Sequence, residues 1–152
     1  YEKDILVGVA VYHGVSAPET VVGAFGLSRN EQGGIWELGR LVLSPQYNGG
    51  NYGSFLVSKS IRQLRKWHGA RAVISYADSS LHDGGIYRAS NFAYYGLTTK
   101  KKDFYVNGTK QERGKTRGVG GGEWRDRPQK HRFAVIFDRD LARAMRWEKL
   151  DK

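Results

Sequence analysis

The chain has 152 residues, of which 39% are hydrophobic, and this content is enough to bury a sizeable core, so we predict one domain over residues 1–152. No apolar run reaches the length of a membrane span and no signal peptide is recognisable, so we expect a cytoplasmic protein without a membrane partner. The absence of cysteine excludes disulfides and thiolate catalysis, and a net charge of +10 favours a polyanionic partner, above all nucleic acid.

Three predicted strands precede the first helix. Residues 5–12 and 21–27 are β-branched and apolar, and a turn-like segment separates them, which predicts an antiparallel hairpin. After a second turn at residues 29–34, the apolar residues 35–43 predict a third strand, which a Ser-Pro pair ends.

The pattern then changes to that of a strand–loop–helix–strand unit. Between residues 54 and 67, apolar side chains recur at helical spacing, at Val57, Ile61 and Leu64. This spacing predicts an amphipathic helix that Gly69 ends, followed by a buried strand at residues 71–77. Strands joined by a crossover helix lie parallel in one sheet, so we expect the strands on either side of this helix to be parallel.

The second half of the chain is predicted to contain a shorter helix at residues 86–95, closed by Gly96. Strands are predicted at residues 103–106 and 132–138, and a terminal helix at residues 139–150.

Residues 107–131 are too polar and too rich in glycine to pack as a core element, so we predict a long basic loop. The stretch 98–132 holds eleven Lys and Arg residues against four acidic ones, which is +7 of the +10 net charge. Such a loop suits contact with phosphates, and a solvated linker is the alternative. The residues expected to bind nucleic acid are Lys100, Lys101, Lys102, Lys115, Arg117, Lys130, His131 and Arg132.

The segment SPQYNGGNYGSF, residues 44–55, joins a strand to a helix, and several folds bind phosphates at such a place because free backbone N–H groups and the helix dipole converge there. A glycine-rich turn of this kind is also common in plain loops, so this alternative stays open. The candidate cofactor-binding residues are Asn48, Gly49, Gly50, Asn51, Gly53 and Ser54.

The order of these elements is similar to that of the GNAT acyltransferase superfamily. The expected fold class is therefore α+β (α/β), with a mixed central sheet around the strand–loop–helix–strand core. In that superfamily the loop binds the pyrophosphate of acyl-CoA and reads Arg/Gln-x-x-Gly-x-Gly/Ala. Here Asn48 stands where Arg or Gln is usual, and Asn51 stands where the first Gly is usual. The resemblance implies an acyl-CoA-like donor, but these two departures from the pattern leave the cofactor unknown.

Three pieces of the chain together resemble the phage Mom family of DNA-modification proteins. They are ELGRLVLSP (37–45) with GSFL (53–56), SYADSSLHDGGIYRASNFAYYGLT (75–98), and KHRF (130–133). This resemblance implies a transferase that converts adenine in double-stranded DNA to N6-carbamoylmethyl (methylcarbamoyl) adenine inside a bacterial host and so protects the DNA from restriction. The implied partners are double-stranded DNA and a small-molecule or acyl donor. The resemblance also leads us to expect an initial strand and one or two helices that this sequence lacks.

Within the resembling stretch, Asp78, Tyr87 and Asn91 are the candidate catalytic residues. Asp78 ends a predicted parallel strand, where open α/β sheets place functional groups, and we assign it as general base or as the group that orients the amine; a turn cap is the alternative. On a helix, Tyr87, Asn91 and Tyr94 would share one face, with Tyr95 beside it. Asn91 would then read the base, Tyr87 would act as an acid or as an orienting hydroxyl, and Tyr94 or Tyr95 would stack on the base. Tyrosines buried in the core are the alternative.

Two further substrate-binding candidates are His82 and Arg40. His82 and Asp83 could form a metal site, but the four histidines of the chain do not have the spacing of metal ligands. We therefore predict no metal-binding residues, although the sequence does not exclude a metal. Arg40 could orient an acidic group or a phosphate, with a rim position as the alternative. The rival functions are an acyl-CoA-dependent N-acyltransferase acting on a protein, RNA or small-molecule amine, and a non-catalytic DNA-binding module. The oligomeric state and the DNA sequence context stay open.

Overall fold

A computed structural model describes residues 5–15, 23–27, 33–80, 84–112 and 120–150. Its strands are β1 (Gly8–Gly14), β2 (Ile35–Leu43), β3 (Ala72–Asp78), β4 (Ala93–Leu97), β5 (Lys101–Val106), β6 (Thr109–Lys110), β7 (Gly122–Arg127) and β8 (Lys130–Ile136). Its helices are α1 (Tyr52–His68), α2 (Gly85–Ala89) and α3 (Arg139–Ala144), and a 3₁₀ turn covers Pro45–Tyr47. None of the described helices has the length and apolar character needed to cross a membrane.

Five strands form a mixed sheet in the order β1-β2-β3-β8-β4, which confirms the mixed α+β class expected from the sequence. β2 and β3 are parallel, as predicted for strands on either side of α1, and their pairing runs from Ile35–Ala72 to Leu38–Ser75. The other neighbours in this sheet are antiparallel. The strand–loop–helix–strand core is therefore confirmed.

The sheet is covered on both faces, which explains why β3 is almost wholly buried. On one face α1 packs Val57, Ile61 and Leu64 against a cluster that includes Val73 and Phe133. On the other face, α3 and residues 23–27 cover a second cluster, which includes Phe25, Ile35, Ile74 and Leu141. Burying one large apolar side chain contributes roughly 1.5–3 kcal/mol, so these two clusters are the main source of stability.

The start of α3 is tied to the start of β3 by a charge-assisted contact. The Asp138 carboxylate accepts hydrogen bonds from the backbone N–H groups of Asp140 and Leu141, which is a standard helix cap. Arg71 Nε donates to the same carboxylate at 2.9 Å. The Arg71 hydrogen bond, helped by these backbone bonds, lowers the pKa of Asp138 from 3.8 to about 2.

The predicted hairpin of residues 5–12 and 21–27 is wrong where the chain is described. β1 pairs with β2 along its whole length, from Gly8–Leu43 to Gly14–Trp36. Residues 23–25 are helical instead, and Ala24 and Phe25 are buried in the core. A short apolar run is compatible with a buried strand and with a buried helical turn, so periodicity alone could not separate the two.

The predicted helix at residues 86–95 is also wrong in its second half. α2 ends at Ala89, and Asn91 has a positive φ of 65°, which a helix does not allow. Residues 93–97 form β4, in which Tyr94 and Tyr95 point to opposite faces of the sheet. Tyr87, Asn91 and Tyr94 therefore do not share a helical face.

Two other boundaries differ from the prediction. Gly96 does not close a helix but lies inside β4, where the register with β8 shifts. The terminal helix, predicted over residues 139–150, is limited to the six residues of α3. Leu150 is not helical and pairs with Tyr94 through a backbone bridge.

The predicted loop at residues 107–131 contains β6, β7 and the first two residues of β8 in its described part. β5, β6 and β7 form a separate three-stranded antiparallel sheet in the order β6-β5-β7. Asn107 and Gly108, with φ of 49° and 77°, make the two-residue turn between β5 and β6. Residues 113–119 lie outside the described part of the chain.

Candidate active site

A cavity opens where β2 and β3 separate. In the described chain their pairing stops at Leu38 and Ser75, where Ser75 Oγ donates to the Leu38 carbonyl oxygen at 2.9 Å. Beyond this bond β2 continues to pair only with β1. The cavity of about 520 Å³ lies between residues 39–41 of β2 and residues 76–78 of β3. Because the strands diverge, backbone from both of them borders the cavity.

Three charged side chains from three strands line this cavity: Arg40, Asp78 and Lys130. Asp78 is the last residue of β3, and Lys130 is its direct partner on the antiparallel strand β8. Arg40 comes from the part of β2 that has left β3. The fold therefore brings together two predicted site residues, Arg40 and Asp78, with a lysine that the sequence assigned to the nucleic-acid surface.

The Asp78 carboxylate is held in place by the turn that follows it. Its Oδ1 accepts hydrogen bonds from the backbone N–H of Ser80 at 2.9 Å and from Ser80 Oγ at 2.6 Å. The turn-cap alternative for Asp78 is therefore confirmed, and the same residue also borders the cavity. A carboxylate fixed by two hydrogen bonds is oriented before any substrate arrives.

The turn after Asp78 is anchored to the connection between β7 and β8. Ser79 donates to the Gln129 carbonyl oxygen from its backbone N–H, at 3.1 Å, and from its hydroxyl, at 2.7 Å. Gln129 in turn donates from Nε2 to the Thr98 carbonyl oxygen at 2.6 Å. Hydrogen bonds thus join the turn at the edge of the cavity to the two segments that flank the three-stranded sheet, at Gln129 after β7 and at Thr98 before β5.

Helix α2 forms another wall of the cavity. The half-buried Tyr87 ring stacks on the fully buried Phe133 ring, with centroids 5.1 Å apart. Gly84, at the start of α2, has a φ of 78°, and a Cβ there would overlap the Phe133 ring. This glycine is therefore required twice, for its backbone conformation and for the close approach of Phe133.

Asn91 and Tyr94 line a different cavity, of about 340 Å³, together with Arg88 and Lys149. The Tyr94 hydroxyl contacts His131 Nδ1 at 2.9 Å. Tyr95 is only 8% exposed and packs in the core near Trp147, so its prediction as a stacking platform is wrong. The single purine site predicted around Tyr87, Asn91 and Tyr94 is therefore divided between two cavities.

The loop before α1 offers backbone donors but no cation. Gly49 and Gly50 adopt positive φ, and the first N–H groups of a helix have no partner within that helix. Residues 44–55 contain no Lys or Arg, so a phosphate there would meet only backbone and neutral polar groups.

The remaining loop candidates make contacts within the protein. Asn48 donates its backbone N–H to the Pro45 carbonyl oxygen at 3.2 Å, and Ser54 Oγ donates to the Asn51 carbonyl oxygen at 3.1 Å. A Cβ at Gly53 would lie 2.5 Å from Ile86 Cδ1. Gly53 therefore lies where α1 packs against α2, and a side chain there would have to displace the flexible end of Ile86, a contact that the loop pattern did not indicate.

A model of the Mom protein family matches residues 1–149. The chain belongs to the Mom protein family. No curated protein matches it. Among solved structures, a GNAT-family acetyltransferase from Bacillus anthracis is similar, with a TM-score of 0.52 and 14% identity over 88% of this chain and 60% of that one. A Bacillus subtilis acetyltransferase in complex with CoA has a TM-score of 0.49 and 15% identity, and the match covers 90% of this chain and 72% of that one.

The fold of this Mom family member is therefore GNAT-like, as expected from the order of its elements. The chain spans 60% of the length of the Bacillus anthracis structure.

The basic candidates of this Mom family member separate into three groups. Lys100, Lys101 and Lys102 are exposed at the start of β5, whereas His82, Lys115 and Arg117, together with Asp83, lie outside the described residues. Arg132 is half-buried with its guanidinium 4.6 Å from the Trp147 ring centre, and its buried Nε has no hydrogen-bond partner among the described residues. Burial lowers the pKa of Arg132, whose guanidinium packs on Trp147, and its role in binding phosphate stays a prediction.

Sequence reasoning missed the position of Lys130 in the cavity and the role of Gly84. The position of Lys130 beside the last residue of β3 depends on the antiparallel pairing of β8 with β3, which no local pattern shows. No local pattern could have indicated that Phe133, about 50 residues later, occupies the space beside Gly84.

Proposed function

We propose that this Mom family member transfers a carbamoylmethyl group to N6 of adenine in double-stranded DNA, as a phage-type modification that protects the DNA from restriction. Family membership supports the reaction class, and the single observation that carries the assignment of the site is the oriented Asp78 carboxylate in a cavity beside Arg40 and Lys130. The predicted roles of Asn91 and Tyr94 are not retained, because they line another cavity.

The cavity suits a base that has left the helical stack. Ligand sites in proteins have volumes of roughly 300–1,000 Å³, and the value of about 520 Å³ here accommodates a purine with part of a donor. The N6 atom of a stacked adenine cannot be reached by an enzyme, so the nucleotide must first be extruded. Lys130 and Arg40 supply the positive charge that an extruded nucleotide with its phosphates requires.

Asp78 acts as the general base in the proposed step. The N6 lone pair forms a bond to the methylene carbon of the donated group, and the donor leaves with the electron pair of the bond that held this carbon. One N6 proton passes to the Asp78 carboxylate, which Ser80 holds in position. Arg40 and the Tyr87 hydroxyl orient the carbamoyl group and the base, and the stack on Phe133 fixes Tyr87.

The test is an Asp78→Asn variant of the full-length protein, with nucleoside mass spectrometry of DNA from expressing cells. Asparagine keeps a carbonyl oxygen that can accept from Ser80, but it cannot take a proton, so we expect modified adenine to fall by about 10²–10⁴-fold while folding is retained. Ser80→Ala is the matched control, because it removes the hydroxyl hydrogen bond of the turn and keeps the carboxylate and the backbone hydrogen bond. Equal modification by wild type and Asp78→Asn would overturn the assignment of the base, and unmodified adenine with both forms of a DNA-binding protein would favour a binding-only protein.

The GNAT-like fold favours one second candidate, an acyl-CoA-dependent N-acyltransferase. Its donor would bind at the N-terminus of α1 through the backbone N–H groups described above. Isothermal titration with acetyl-CoA, read beside the nucleoside analysis, separates the two candidates. Tight CoA binding with unmodified adenine would favour the acyltransferase.

A further inference from the structure

Trp124 is an exposed aromatic side chain with a fixed position. It lies on β7 of the three-stranded sheet and is 58% exposed. Its ring packs on Phe104, its direct cross-strand partner, with centroids 5.1 Å apart. Phe104 is itself buried, because its ring lies directly against the backbone of Gly122. Trp124 is thus supported from below by the protein and presents the rest of its indole to solvent.

The charges around Trp124 complement a polyanion. Lys100, Lys101 and Lys102 are exposed where the neighbouring strand begins. Lys102 lies on the same face of the sheet as Phe104, 3.8 Å from the Asp126 carboxylate, and Arg125 is paired with Glu123, whereas Lys100 has no acidic partner among the described residues. An exposed indole among cations is the combination that proteins use to contact unstacked bases and the phosphates beside them.

Trp124 lies within about one duplex diameter of Lys130, which borders the cavity. Trp124 and Lys130 are six residues apart, so the chain between them spans at most roughly 20 Å, which is about the diameter of duplex DNA. One duplex is therefore wide enough to contact both Trp124 and the edge of the cavity, and Gln129, in the connection between β7 and β8, is hydrogen-bonded to the turn after Asp78 and to Thr98.

We propose that Trp124 stacks into duplex DNA at the place that the extruded adenine leaves, and that the lysines at the start of β5 hold the flanking phosphates. This inference rests on the proposed function and adds a base-opening residue to it. Side chains that insert between bases lower the cost of taking a nucleotide out of the stack, because they replace part of the lost stacking.

The experiment measures base opening without requiring modification. A duplex with 2-aminopurine at the target adenine is titrated with the full-length protein, and its fluorescence rises when the base unstacks. We expect Trp124→Ala to abolish most of this rise and to weaken binding about 5- to 100-fold, while the salt dependence of binding is unchanged because the phosphate contacts remain. Trp124→Phe should restore most of the rise.

Trp67→Ala is the matched control. Trp67 is 65% exposed on α1, so its loss tests the effect of removing any surface tryptophan. The inference would be overturned if the fluorescence rise were equal in wild type, Trp124→Ala and Trp67→Ala. It would also be overturned if the wild-type protein bound the duplex without unstacking the probe, or if it bound RNA more tightly than DNA. Base opening that depends on Trp124, in a protein that leaves adenine unmodified, would refute the proposed reaction and retain the inference.

Discussion

Replacing Gly84 by alanine tests whether Phe133 positions the wall of the cavity. Gly84 has a φ of 78°, and a left-handed conformation costs about 1–2 kcal/mol in an L-residue. The new Cβ would also overlap the Phe133 ring, which is fully buried and has no room to move, and overpacking of this kind costs about 1–3 kcal/mol. The free energy of unfolding should therefore fall by about 2–5 kcal/mol.

Gly108→Ala is the matched control for this variant. Gly108 has a φ of 77°, and the position of its Cβ has no atom within 4 Å, so only the conformational cost applies. At about 3 °C per kcal/mol for a chain of this size, thermal unfolding should shift down by about 6–15 °C for Gly84→Ala and by about 3–6 °C for Gly108→Ala.

A double-mutant cycle identifies the cause of the difference. Phe133→Leu removes the ring atoms that the new Cβ would meet, so Gly84→Ala should cost less in that background by about 1–3 kcal/mol. Equal shifts for Gly84→Ala and Gly108→Ala, or a cost of Gly84→Ala that does not depend on Phe133, would refute the argument that this contact fixes α2.

Two further predictions concern acid stability and DNA binding. The pKa of Asp138 is about 2 in the folded protein and 3.8 ordinarily, so its stabilising effect is complete above about pH 4 and is lost as the pH falls toward 2. Thermal unfolding between pH 6 and pH 2 should therefore show that Asp138→Asn is less stable than wild type at pH 6 and nearly as stable at pH 2. A difference in unfolding temperature that does not change with pH would contradict this. Changing lysines 100–102 to glutamine should reduce the slope of log K against log salt by about 0.9 for each phosphate that the variant no longer neutralises. The same charge change at Lys59, Arg62 and Lys66 on α1 should leave the slope unchanged, and equal effects of the two triple variants would place the DNA elsewhere.

The sequence predicted those elements whose local pattern and tertiary role agree. The third predicted strand, the first helix and the buried strand after it became β2, α1 and β3 with small shifts of their ends. The long helix has a regular apolar face, and β3 is apolar throughout because both of its faces are covered. These patterns are long enough to fit only one kind of element.

The wrong predictions fall on short or polar segments. The segment around Tyr94 and Tyr95 fits a helical period and a strand period equally well, and only packing against Phe133 and Trp147 decides for the strand. The three-stranded sheet was missed because much of it is exposed and polar, which the sequence alone does not distinguish from a loop. The strand predicted at residues 103–106 became β5, and the pair Asn107-Gly108, a typical hairpin turn, could also have predicted β6.

The site was predicted in part for a similar reason. Asp78 could be placed from the sequence because the end of a parallel strand is a recurrent position for functional groups. Lys130 could not be placed in the cavity, because its position depends on the antiparallel pairing of β8 with β3 across some 50 residues of chain. The division of Tyr87 and Asn91 between two cavities follows from the early end of α2, which depends on the backbone at Asn91.

The most direct measurement is nucleoside mass spectrometry of duplex DNA from cells that produce the full-length wild-type protein. We predict a deoxyadenosine species heavier by one carbamoylmethyl group, with the other three nucleosides unchanged. Unmodified deoxyadenosine in DNA from cells that contain folded, DNA-binding protein would contradict the proposed reaction.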